Sequence, residues 1–204
     1  MLREGNGGCD YVAYVDTFDM ELSNAEVAGL CSEFVQAGSH TTSVTLQFLL
    51  ANLANCPQLQ EKVHVNIVGV VGESAAEVED VEKMEYVEAV VMETLRWHIP
   101  GYFALAYTAM QDCTLGGWHV PADAIMNLYT EGMTKDPRQE DVSRFGIGHD
   151  HLRIIAIRLV QAFQWQCIDD KPIELSEMDE FVEVMASPVR SLRKPFKVMA
   201  IPRL

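Results

Sequence analysis

Val87-Glu88-Ala89-Val90-Val91-Met92-Glu93-Thr94-Leu95-Arg96-Trp97 carries the strongest structural signal in the chain, centred on Glu93-Thr94-Leu95-Arg96. A Glu and an Arg three residues apart share one helix face and can exchange charge-assisted hydrogen bonds. The E-x-x-R pattern alone carries little, because exposed helices often hold it by chance. Here Val87, Val90, Val91 and Leu95 surround it. The spacing predicts a largely buried helix over about Glu85 to Trp97, with Glu93 and Arg96 paired. Upstream, Ala37-Gly38-Ser39-His40-Thr41-Thr42 interrupts a long apolar run; downstream stands Phe145-Gly146-Ile147-Gly148.

Ser23-Asn24-Ala25-Glu26 is a capping box, in which each side chain can satisfy the other's backbone N–H. It predicts a long helix ending before Cys56-Pro57. That helix is apolar on most faces and is expected to run through the middle of the domain. Pro57 opens a second helix at its first turn, through Leu59, Val63 and Val68, with Gly69 and Gly72 weakening its end. Glu73 to Glu82 reads as a solvated acidic connection with room for a short helix. After Pro100-Gly101 the period changes to alternation, predicting short strands at Tyr102–Thr108, Cys113–Leu115, Trp118–Val120 and Ala124–Leu128. A last helix is expected over about His151 to Phe163. Short strands then follow, separated by Pro172, Pro188 and Pro195.

The chain has 204 residues, enough for one domain with a core. A hydrophobic content of 49% and a mean hydropathy of +0.03 suit a globular protein. The net charge of −15, without a long Lys/Arg cluster, argues against nucleic acid as a partner. Five scattered cysteines with no C-x-x-C pair predict an intracellular chain with unpaired thiols. No stretch approaches the roughly 20 apolar residues of a membrane span, and the N-terminus lacks a signal-peptide core. His149-x-His151 reads as two exposed histidines, so no metal site is assigned.

Gly38 and the adjacent threonines weaken the long helix locally. Either another helix packs closely over Gly38, or the run borders a flat ligand with the Thr41 hydroxyl facing it. In their order and setting, the three runs resemble the C-terminal half of a cytochrome P450, most closely the plant microsomal type. The resemblance spans about Tyr14 to Arg203 and implies a mainly α fold with small β-sheets, a partial cytochrome P450 fold. It implies a single partial domain over 1–204: an N-terminal segment 1–22, a helical core 23–101, strands and a shortened loop 102–148, and a last helix with strands 149–204.

The implied cofactor is haem. In the family the equivalent kink crosses the haem face, and its threonine helps deliver protons to bound oxygen. The resemblance therefore gives Thr41 and His40 the catalytic role, and places Ala37, Gly38, Thr42, Phe145, Gly146 and Gly148 at the cofactor. His40 stands where the family usually has Asp or Glu, though a histidine can relay protons. Glu93 and Arg96 correspond to a structural ion pair that a third Arg from a later loop completes. That loop is much shorter here, leaving Arg144 either as a surrogate partner or on the surface. Asp112, Gly116-Gly117, Val120-Pro121 and Lys135-Asp136-Pro137 fall in pattern. Leu105-Ala106-Tyr107 stands where the family has Pro followed by a basic propionate partner.

The decisive departure follows Gly148. The family continues with a basic residue and Cys-Pro-Gly, whose thiolate binds the iron. This chain reads His149-Asp150-His151-Leu152-Arg153, as if a deletion joined the loop to the last helix. Resemblance thus implies a haem-dependent monooxygenase that hydroxylates a hydrophobic small molecule, with O2 and electrons from an NADPH-dependent P450 reductase. The missing thiolate implies that this chain is inactive. The alternative is a non-enzymatic remnant or an aberrant gene model without haem. The family is anchored in the endoplasmic-reticulum membrane, whereas no anchor is read in this sequence. Without haem and the earlier segments, the chain is expected to be marginally stable, with Leu46, Phe48, Leu49, Leu50 and Leu53 partly exposed.

Overall fold

The long helix α1, Asn24–Asn55, begins at the capping box expected of it. Ser23 N donates to Glu26 Oε2 at 2.8 Å, and Glu26 N donates to Ser23 Oγ at 3.3 Å. The computed structural model describes residues 23–101, 103, 106–136, 149–182, 187–192 and 197–203. Two units divide between Ser39 and His40. In the first, residues 24–39 are helical, and Phe34 and Val35 are exposed.

In the second unit, the remainder of α1 buries Val44, Thr45, Phe48, Leu49, Ala51, Leu53 and Ala54. These positions recur at helical spacing and form one apolar stripe. Helix α2, Pro57–Val71, has Pro at its first turn, where a missing N–H costs nothing. Gly72 ends it at φ 63, a conformation that glycine adopts without a Cβ clash. A 3-10 turn, Val78–Lys83, follows, with its own capping box between Glu77 and Asp80. Helix α3 is Glu85–Trp97, α4 the short Thr130–Thr134, and α5 His149–Ala162. The main core lies where α1, α2, α3 and α5 meet, around Leu53, Ile67, Val91, Ile157 and Val160. Ala76, Val81 and Met84 close it from the 3-10 segment. Phe48, Val44 and Ala51 form a second cluster, covered by Ile173 and Leu175. Phe48 also stacks on the His98 ring, with centroids 4.1 Å apart.

Among the described residues, eight strands pair into four two-stranded antiparallel sheets. β1 (Tyr107–Thr108) pairs with β4 (Ile125–Met126), and β2 (Cys113–Leu115) with β3 (Trp118–Val120). β5 (Phe163–Cys167) pairs with β8 (Val198–Pro202), and β6 (Glu177–Val182) with β7 (Ser187–Leu192). Gly116 and Gly117, at φ 58 and 87, close the β2–β3 hairpin as a two-residue turn. Side chains alternate along each strand, and directly paired residues share a face. Cys113, Leu115, Trp118 and Val120 therefore occupy one face of that ribbon, with Thr114 and His119 on the other. Leu115 is 61% and Trp118 79% exposed.

The architecture is mainly α with small β-sheets. Several local expectations are corrected. α1 is buried only over Val44 to Ala54, because its neighbours pack there. Phe48, Leu49 and Leu53 are fully covered, not partly exposed; Leu46 and Leu50 are half-buried. The acidic connection is not wholly solvated, since Ala76 and Val81 enter the core. Pro188 does not separate strands but sits inside β7 opposite Phe181. A two-stranded ribbon has an outward edge on each strand, where a missing N–H breaks no ladder bond. No helix among the described residues is long and apolar enough to cross a membrane.

Candidate functional site

Helix α3 turns Val87, Val91 and Thr94 inward, which places Glu93 and Arg96 at the margin of the core. Arg96 Nε donates to Glu93 Oε2 and Nη2 to Oε1, both at 2.7 Å, a bidentate fork. The face is less buried than its apolar neighbours suggest: the Glu93 side chain is 55% and that of Arg96 21% exposed. The pair therefore belongs with marginal surface bridges rather than buried networks. The Arg96 hydrogen bond holds the Glu93 carboxyl below its usual range, against partial desolvation and with help from Trp97. The same bond raises the Arg96 guanidinium's affinity for its proton.

Two partners escaped the sequence reading. Trp97 Nε1 donates to Glu93 Oε1 at 2.7 Å, and Arg96 Nη1 donates to the Thr134 carbonyl at 3.3 Å. The spacing Glu93 to Trp97, four residues on a helix, was the available signal for the first. The second partner lies 38 residues away and left no local trace.

The Ala37–Thr42 run stays helical throughout. Ala37, His40, Thr41 and Thr42 are half-buried, and Gly38 is exposed. Among the described residues, a Cβ on Gly38 would meet nothing within 4 Å. The Thr45 hydroxyl donates back to the Thr41 carbonyl at 2.9 Å, as threonines inside helices commonly do. Phe145, Gly146 and Gly148 lie outside the described residues, as does Arg144.

The haem implied by resemblance needs a thiolate close before α5. That helix begins at His149, the residue after Gly148, so the position of a ligand loop is occupied by helix. Cys31, Cys56 and Cys113 are exposed, on α1, before α2 and on β2. The half-buried Cys167 lies after α5, its thiol donating to Ala54 O at 3.4 Å and Asn55 Oδ1 at 3.3 Å. None stands where the ligand belongs, and the described residues hold no cluster fit for a metal ion. The residues present do not fit a thiolate-bound haem.

Comparison with known proteins places the chain in a family. The family model described as Cytochrome P450 fits residues 13–139. The chain is 26% identical to Cytochrome P450 89A9 of Arabidopsis thaliana, over 95% of its own length and 48% of that protein's. It is 28% identical to Isoflavone 2'-hydroxylase of Medicago truncatula, over 82% and 40% respectively. A solved zebra fish cytochrome P450 structure with progesterone aligns with a TM-score of 0.66 at 24% identity, covering 82% of this chain and 43% of that one. The chain thus spans about half the length of the curated relatives it matches. The Arabidopsis alignment runs over 251 positions for a chain of 204 residues, so that protein carries stretches with no counterpart here. The family match ends at residue 139, six residues before Phe145. Helical core, paired Glu93 and Arg96, and a family match over most of the chain lead to one assignment: the chain belongs to the cytochrome P450 family, whose cofactor is haem, and the curated relatives named above are plant proteins.

Proposed function

We propose that the chain represents the helical core and C-terminal strands of a haem-dependent monooxygenase of the plant microsomal type, and that as its sequence stands it does not perform the reaction. The class hydroxylates hydrophobic small molecules with O2 and electrons from an NADPH-dependent reductase. The hydroxylases among the relatives, from Medicago truncatula and Eschscholzia californica, support oxygen insertion as the reaction type. One observation carries the inactivity: α5 starts directly after Gly148, leaving no residue to supply a thiolate. Thr41 and His40 then have no proton-delivery role to play.

The test is spectroscopic. The chain is expressed with haem supplied, reduced and exposed to carbon monoxide. No thiolate-type Soret band is expected. Such a band, lost on substituting one of the five cysteines, would overturn the reading. Sequencing the transcript across Asp136 to His151 separates a genuine junction from an aberrant gene model.

A further inference from the structure

Three donors converge on the Glu93 carboxylate from within four residues. Arg96 supplies two through its fork, and Trp97 Nε1 the third, on the oxygen that Arg96 Nη2 also reaches. A carboxylate offers roughly four acceptor sites, so most are filled locally. The guanidinium carbon of Arg96 lies 4.7 Å from the centre of the Trp97 ring, within cation–π range. Trp97 is 52% exposed, so burial does not explain how its ring is held. Its one polar group only donates, and it faces the one carboxylate that also holds Arg96. The remaining arm of Arg96 reaches the carbonyl of Thr134, the last residue of α4. Helix ends leave such carbonyls without an intrahelical partner. Thr134 itself is buried, and Thr130, at the other end of α4, donates to the Gly101 carbonyl at 2.7 Å.

We propose that Trp97 is a positioning residue: its indole N–H and ring together fix the Glu93–Arg96 fork, so that Arg96 caps α4 and ties the strand region to the end of α3. The arrangement is complete within α3 and α4, and it stands whether or not the chain binds haem. An aromatic ring alone would give the guanidinium a surface without orienting the carboxylate. The N–H alone would orient the carboxylate without a surface for the guanidinium.

The experiment uses the full chain, labelled with 15N, and follows the indole N–H signals of its three tryptophans. Trp97→Phe identifies the Trp97 signal by its loss. In the unsubstituted chain that signal is expected downfield of free indole. It should move upfield as the Glu93 carboxyl takes up its proton in an acid titration, with a midpoint below that of an ordinary glutamate. The Trp118 and Trp165 signals should not follow it. In thermal melts, the effects of Glu93→Gln and Trp97→Phe should be non-additive by about threefold in the unfolding constant, as for directly bonded pairs. A Trp97 signal at the free-indole position that ignores the titration would overturn the proposal, as would strictly additive substitutions. The titration itself uses the unsubstituted chain, and should Trp97→Phe fail to fold, sequential assignment of that chain identifies the same signal and keeps the test intact.

Discussion

At the scale of single residues, Glu93 has the sharpest consequence. Its folded carboxyl is held below the usual range by Arg96 first, so the pair stabilises the fold only where Glu93 is ionised. That contribution is fully present above the unfolded value of about 4.3 and is lost as pH falls through the lower folded value. The melting-temperature gap between the unsubstituted chain and Glu93→Gln should therefore be constant near neutrality and shrink in acid. With Glu93 more than half exposed, solvent screening limits the gap to about 1 kcal/mol or less. The Glu93–Arg96 pair was legible because three-residue spacing fixes both side chains on one helix face. The role of Trp97 was not, because a tryptophan closing an apolar helix reads as core until its exposure is known.

At the scale of elements, Gln60 joins three of them. Its Nε2 donates to Trp165 O at 2.8 Å and to Leu53 O at 3.2 Å, while its Oε1 accepts from Trp165 N at 2.7 Å. It is fully buried, so its removal strands backbone groups of β5 and α1 away from water. Gln60→Leu is expected to cost about 2–3 kcal/mol in urea unfolding, with faster amide exchange along β5 and β8. An unchanged midpoint would show that the β5 backbone finds other partners. The helices themselves were readable from Ser23, Pro57 and Gly72, because caps act within one turn. The burial of Gln60 was not, since its partner lies 105 residues away and nothing in the first turn of α2 marks it. Pro188 misled for a related reason: a proline excludes a central strand, but not an edge, and only the pairing tells which.

At the scale of the whole molecule, α5 changes the expectation of a fragile chain. Leu152, Ala156, Ile157 and Val160 fill the core against α2 and α3, so residues 40–203 bury apolar surface without any ligand. Unfolding of this unit should be cooperative in protein made without added haem, and Ile157→Ala should cost about 2–5 kcal/mol. A gradual melt with no baseline would refute that closed core. The helical core was legible because its period is local. The closure of the second unit was not, because it depends on which surfaces meet. Among the described residues, one apolar surface still offered to solvent is a side of the β2–β3 ribbon, and that sidedness has a local origin. Leu115 stands opposite Trp118 only because the turn between them contains two residues. A slip of one position would set His119 against Leu115 and make Trp118 part of the bend. A bulky β-branched residue at Gly117, where φ is 87, would favour such a slip. The ribbon's distinction between an oily and a wet side is thus stored in the two positions that have no side chain at all.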